Sequence, residues 1–327
     1  NKKNKNTSNF DRFPVVGLIK TSSSSDLITD SAASATAFAS GIKTYNGALG
    51  VNTDSLAVKT IVEEISKIGI STGIISTSSI THATPAAFYT HTKKRSMAED
   101  IASQLVTSGI DFFAGGGSDY FTNREDNRDL ILELEEKNFI MNLNSLPTGI
   151  TSDFSKKQGY LLAPKGLPKI LEGRGNFLSD ATTLALNYLS TNENGFFLMI
   201  EGAQIDWGGH DNDADYLISE LIDFDNTIGV ALDFAKLNGL EYVEDSSNFK
   251  NDYTRNLIRN QLIPQMEAIY PNVNQQILDT ISRLKEAEDI VNATVKAFWK
   301  KHISFPKGIP TIEQSTWNQL NLQAPPF

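Results

Sequence analysis

Along most of the chain, short apolar runs alternate with longer stretches whose apolar residues recur every three or four positions. Within Leu56–Ile68, Val58, Ile61, Val62 and Ile65 fall near helical spacing, and Gly69 ends the run before the β-branched stretch Ile70–Ile75. The same order of helix, glycine and strand returns in Met97–Val106 followed by Gly109-Ile-Asp-Phe-Phe-Ala. Asn127–Asn138 reads as an amphipathic helix, and Asn142–Asn176 as loops with one strand near Tyr160. Asp180–Leu189 reads as a helix, Phe196–Ile200 as a continuous apolar strand, and Asp215–Lys236 as a long helix. Phe13–Ile19 is expected to form a short buried strand, whereas the lysine-rich Asn1–Asn9 shows no apolar periodicity. Apolar strands alternating with helices predict an α/β fold, a mainly parallel sheet with helices on both faces, as far as about Gly239.

Beyond Gly239 the pattern changes. Gln275–Val295 predicts one amphipathic helix with Ile277, Ile281, Leu284 and Ala287 on one side, so residues 240–327 are expected to be a mostly helical tail. A length of 327 residues suits the two domains this implies, 1–239 and 240–327.

Composition narrows the chemistry. A net charge of -10 argues against a general nucleic-acid or anionic-membrane surface. With no cysteine, disulfides and thiolate metal sites are excluded, and any metal must be held by Asp, Glu, His, Thr or Ser. No apolar run reaches the roughly 18 residues of a membrane span.

Three stretches carry candidate chemistry. Asp30 and Ser31 stand just before the small-residue run Ala32–Ser40, which Gly41 ends. A serine there presents its hydroxyl where unpaired N–H groups favour an anion, and Asp30 can fix a metal-bound water or an arginine. The alternative is that both only cap the helix. In Ser79-Ile-Thr-His-Ala-Thr-Pro-Ala-Ala-Phe, His82 and Thr84 follow a predicted strand, at the end where open α/β sheets place ligands. Thr84 is a weak oxygen ligand for Mg²⁺ or simply part of a turn; Arg95, further on, reads by itself as a solvated charge. In the third stretch the apolar strand ends in Glu201, with Asp206 and His210 expected in a glycine-bearing loop, a plausible environment for a hard metal and zinc.

The run Thr29-Asp-Ser-Ala-Ala-Ser-Ala-Thr-Ala with Gly41-Ile-Lys-Thr-Tyr-Asn-Gly behind it resembles the nucleophile segment of the alkaline phosphatase family. The resemblance continues through Ala83-Thr-Pro-Ala-Ala and through Glu201, Asp206 and His210. It implies that Ser31 becomes phosphorylated and that Arg95 forks onto two phosphate oxygens. It implies Thr84 and Glu201 as ligands of a magnesium-type site and Asp206 and His210 as two ligands of one zinc. His82 and Asp30 take softer, supporting places. Two Zn²⁺ and one Mg²⁺, a small phosphomonoester substrate, a homodimer and a periplasmic or secreted location are implied with them. The family's Asp-Gly-Met-Gly strand end is expected before Asn1 and its Thr-Ala-Asp-His stretch after Gly239. Neither is in the sequence, so a domain short of its first and last core strands, and of the metal ligands for turnover, is expected.

The tail resembles something else. Asp245-Ser-Ser-Asn, then Tyr253-Thr-Arg-Asn-Leu-Ile-Arg and Ile263-Pro, is similar to the tRNA(Ile)-lysidine synthetase family over about 240–290. Arg255 and Arg259, four apart on one helical face, are candidates for RNA contact or for a solvated face. That family's ATP-binding Ser-Gly-Gly-x-Asp-Ser loop is not in the sequence, and nucleic acid is a partner only if the tail is functional. A cytoplasmic location follows only if the tail defines the protein. A chimera joined near residue 239 is therefore expected. The principal reading is a phosphomonoester hydrolase, with a fragment of an ATP-dependent tRNA-modifying enzyme or a non-catalytic metal- and phosphate-binding protein as alternatives.

Overall fold

The structure, a computed structural model, describes residues 8–13, 19–147, 155–240, 261–304 and 311–312. Two compact units divide the chain, Asn1–Glu241 and Tyr242–Phe327.

In the first unit five strands form one sheet: β1 (Ser71–Ser79), β2 (Phe112–Gly116), β3 (Phe139–Asn142), β4 (Lys157–Leu161) and β5 (Phe196–Glu201). Their order is β3-β4-β2-β1-β5, and every pairing is parallel. Helices α1 (Ser31–Ser40), α2 (Ile61–Ser66), α3 (Ala83–Ala86), α4 (Ala98–Leu105), α5 (Asp119–Thr122) and α6 (Leu130–Glu136) come first in the chain. After β4 follow α7 (Phe177–Leu189), α8 (Gln204–His210) and α9 (Ala214–Leu237).

The period-two alternation of a strand explains the two cores. Ile74 of β1 packs with Val62, Ile101, Leu105 and Phe113 on one face, while its neighbour Ile75 packs with Phe112, Tyr160, Leu178 and Ala181 on the other. Thus α1, α2 and α4 cover one face and α7 the other, the doubly covered parallel sheet that the apolar runs predict.

Several boundaries differ from expectation for local reasons. The helix expected over Leu56–Ile68 starts only at Ile61, because Thr60 and Glu63 make a reciprocal capping box. The helix expected over Asn127–Asn138 shrinks to Leu130–Glu136. Asp129 caps it by accepting from the N–H groups of Ile131 and Leu132, and Asn138, at φ +70°, turns the chain into β3. The strand β3 was not anticipated. β1 runs on from Ile75 to Ser79 through buried Ser76, Thr77 and Ser78. Burying hydroxyls is tolerable there because Ser76 donates to Glu201 at 2.6 Å and accepts from the Ser78 N–H at 3.1 Å.

The strand expected over Phe13–Ile19 lies for the most part outside the described residues. Just before it, a 3-10 turn at Asn9–Arg12 is tied to α9: Ser8 and the Phe10 N–H both donate to Asp225, at 2.5 and 3.2 Å.

The second unit is helical, as the tail's periodicity predicts. It holds α10 (Ile263–Ile269), with Pro264 in its first turn, and α11 (Val273–His302), longer at both ends than the helix expected over Gln275–Val295. Two short antiparallel strands, β6 (Ile303–Ser304) and β7 (Thr311–Ile312), follow.

Candidate functional site

Asp30 is the N-cap of α1: its carboxylate accepts from the Ala33 N–H at 2.9 Å and, through the other oxygen, from the Gly47 N–H at 3.0 Å. Ser31 opens the helix with its hydroxyl free of capping. Gly41, at φ +72°, closes it in the left-handed conformation that glycine adopts without strain. The capping alternative therefore holds for Asp30 and leaves Ser31 available.

Arg95 reaches both residues. Its Nη1 donates to Ser31 Oγ at 2.8 Å and to Asp30 Oδ2 at 3.2 Å. Burial alone raises the Asp30 carboxyl, but the two backbone N–H bonds and the Arg95 charge outweigh it and hold the group below the usual carboxylate range. The other terminal nitrogen of Arg95 donates to His82 Nε2 at 3.2 Å, which places the imidazole proton on Nδ1, buried without a partner. Burial first, and then the Arg95 charge, push His82 down to about 4, so its ring is neutral at pH 7.

At the end of β5, Glu201 accepts from Ser76 at 2.6 Å and from the Thr84 hydroxyl on α3. Desolvation pushes its carboxyl above the usual range; these bonds and Arg95 only partly offset it. Asp206 and His210 do not lie in a glycine-bearing loop. They stand at i and i+4 on α8, Nε2 to Oδ2 3.5 Å apart, with side chains 67% and 79% exposed. The glycines read as loop formers are helical instead. Gly208 serves a close approach, since a Cβ there would lie 2.7 Å from the Leu217 backbone nitrogen.

One open pocket of about 660 Å³ brings these groups together: Asp30, Ser31, His82, Thr84, Arg95, Glu201, Asp206 and His210 all line it. Phe38, two turns along α1 from Ser31, and Ala203 also line it; both escaped the sequence reading, which had no chemical signal at either position. Ser76 escaped too, hidden in a run of serines. Trp207 packs edge-on to His82, ring centres 5.8 Å apart. Arg255 and Arg259 lie outside the described residues.

The donors test the metals differently. Glu201 with Thr84 is an all-oxygen pair around a desolvated carboxylate, and it fits a magnesium-type ion. Asp206 and His210 are zinc-type donors, but a catalytic zinc takes three protein ligands. Among the described residues no three His, Cys, Asp or Glu side chains gather to hold an ion.

A doubly covered parallel sheet with polar groups collected beyond its strand ends belongs to the α/β proteins that bind ligands at the carboxyl edge. Over residues 1–243 the chain matches the alkaline phosphatase family, and it belongs to that family. Alkaline phosphatase 4 of Bacillus subtilis is 40% identical over 217 residues, covering 64% of this chain and 46% of that protein. The alkaline phosphatase of Schizosaccharomyces pombe is 36% identical over 261 residues, covering 72% of this chain and 48% of its own length. The chain spans about half the length of these curated relatives.

Among solved structures, alkaline phosphatase from the Antarctic bacterium TAB5 superimposes with a TM-score of 0.69 at 52% identity, over 72% of this chain and 69% of that one. A histidine-to-aspartate variant of that enzyme, with Mg bound in its M3 site, superimposes equally well. Residues 229–266 match the PP-loop domain, consistent with the second resemblance of the tail. No described helix is long and apolar enough to cross a membrane.

Proposed function

We propose that the first unit carries phosphomonoester hydrolysis through a phosphoserine at Ser31. Ser31 Oγ attacks the phosphorus of a small phosphomonoester, and the bond to the ester oxygen breaks to release the alcohol. Water then takes the phosphoryl group to give inorganic phosphate and restores the hydroxyl. The observation that supports this most is the 2.8 Å approach of Arg95 to Ser31 at the start of α1.

The chain's own groups have clear parts in that reaction. Arg95, planar and permanently charged, matches two phosphate oxygens, and a bound phosphoryl group replaces its bond to Ser31. The first N–H groups of α1 add their partial positive charge to the same spot. Asp30 orients the guanidinium, and neutral His82 accepts from it without adding charge. Glu201 and Thr84 would hold magnesium, and Asp206 and His210 would hold one of two zinc ions. Such ions, when bound, neutralise ester oxygens and lower the pKa of bound water.

With only two donors at the zinc pair among the described residues, low turnover by this chain alone is part of the proposal. So are a homodimer and an exported location. The test is release of alcohol from an aryl phosphate with zinc and magnesium added. Weak release above background that disappears in Ser31→Ala is expected. Release unchanged in Ser31→Ala would overturn the nucleophile, and rates of about 10 per second would overturn the shortfall in ligands.

The PP-loop match supports a second reading for the tail, a remnant of a tRNA-modifying enzyme that contacts RNA through Arg255 and Arg259. Salt-sensitive tRNA binding, lost on Arg255→Ala/Arg259→Ala, is its expected sign. Unchanged binding in that variant would count against it.

A further inference from the structure

His91 is four residues before Arg95 and outside the site pocket, yet its ring is held at both nitrogens. Nδ1 lies 2.6 Å from the Gly50 carbonyl oxygen and Nε2 3.0 Å from Glu63 Oε1. Both partners only accept, so a ring that serves both donates from both nitrogens. Its backbone is gripped as well: the His91 N–H donates to Gln104 Oε1 of α4 at 2.8 Å. The intervening Lys93 and Lys94, by contrast, are exposed.

A closed circuit of bonds runs from this ring to the candidate nucleophile. Leu49 and Thr92 exchange backbone hydrogen bonds, both 2.9 Å, and the Arg95 N–H donates to the Gly47 carbonyl at 2.8 Å. The Gly47 N–H donates to Asp30, and the Arg95 side chain returns to Asp30 and Ser31. The 47–50 loop is thus pinned between α1 and the 90–95 segment. Gly50 makes the approach feasible: at φ +58° it has no Cβ, which would stand 2.0 Å from the Thr90 oxygen and 2.8 Å from His91 Nδ1.

We propose that His91 is a positioning residue for Arg95. By tying the 47–50 loop and the start of α2 to the 90–95 segment, it holds the guanidinium on Ser31 in the site read above as phosphate-binding. The inference rests on that reading for its functional meaning and on the bond circuit for its structural content. It places the control of Arg95 at a residue that does not line the pocket.

Two measurements test it, amide hydrogen exchange and calorimetric titration with inorganic phosphate, on the full chain. His91→Ala is expected to speed exchange at Leu49, Thr92 and Arg95 and leave Ile74 and Ile75 of β1 unchanged. It should also weaken phosphate about tenfold, the worth of one or two such hydrogen bonds. His91→Asn, whose amide can still donate to Gly50, should restore most of both, and His91→Gln less. In an Arg95→Ala background His91→Ala should have no further effect on affinity, because the two act through one contact.

Glu63→Ala frees the ring from α2 and carries the same prediction at smaller size, so the test does not depend on His91→Ala folding. Unchanged exchange at Leu49, Thr92 and Arg95, or an equal affinity loss with and without Arg95, would overturn the proposal. If the unaltered chain binds no phosphate, the functional reading fails, and the exchange result alone decides whether His91 holds the segment.

Discussion

Arg95 Nη1 donates to Ser31 Oγ at 2.8 Å across 64 residues of chain, and the same nitrogen reaches Asp30 at 3.2 Å. An acid, a hydroxyl and a guanidinium are thereby joined at the start of one helix. Removing the guanidinium should cost the charge-assisted bonds it offers an anion. Arg95→Ala is expected to weaken inorganic phosphate about 10- to 100-fold by calorimetry, at about 1.5–3 kcal/mol for such a bond. Arg95→Lys should recover only part of this, since an ammonium lacks the planar fork. Equal affinity in all three proteins would remove Arg95 from the site.

Glu201 is a carboxylate kept above its usual range by desolvation, so in metal-free protein its charge is a burden. Glu201→Gln is expected to raise the Tm in chelator. Added Mg²⁺ should raise the Tm of the unaltered chain and leave that of Glu201→Gln unmoved, because binding to the folded state stabilises it. Equal Mg²⁺ shifts in both would place the ion elsewhere.

Gly208 lets α8 and α9 approach, with the Leu217 nitrogen 2.7 Å from where a Cβ would stand. Gly208→Ala should lower stability by about 1–3 kcal/mol, the usual cost of overpacking. It should also displace Asp206 and His210, which share α8. Denaturant unfolding measures the first effect; an unchanged midpoint would show that α8 shifts freely.

Asp225 has a direct pH consequence. Desolvation raises its carboxyl, but bonds from Ser8, Asn9 and the Phe10 N–H outweigh this and hold it below 3.8. The folded pKa is therefore the lower one, and the stabilisation is present above the unfolded value, about pH 4, and lost as the pH falls through the folded value. Between those values the unfolded chain binds the extra proton, so acid favours unfolding there. Asp225→Asn should remove this acid-sensitive contribution, lowering the Tm near pH 7 and progressively less as the pH falls below about 4. A constant difference across that range would contradict the assignment.

What the sequence made legible follows from where local pattern and tertiary context agree. β5 and α7 were readable because an unbroken apolar run and a helical stripe both face a core. For β1, the strand was expected to stop at Ile75, because the Glu201 carboxylate that satisfies the buried Ser76 hydroxyl lies 125 residues away. α8 looked like a loop because Gly208 and Gly209 normally break helices, and only the approach of Leu217 explains Gly208. Eight of the residues that line the pocket stood out in the sequence, by residue type together with the resemblance of their motifs to the alkaline phosphatase family. That one guanidinium nitrogen joins Asp30 to Ser31, and that His91 braces the segment behind it, is a matter of loop packing that no linear pattern encodes.

The most direct test is to locate the phosphoryl group itself. The chain is incubated with an aryl phosphate, zinc and magnesium, quenched in acid, and its peptides are mapped by mass spectrometry. A phosphate on the Ser31 peptide is expected, absent in Ser31→Ala and sharply reduced in Arg95→Ala. Phosphate on another residue, or hydrolysis that persists in Ser31→Ala with Ser31 never modified in the unaltered chain, would contradict the assignment.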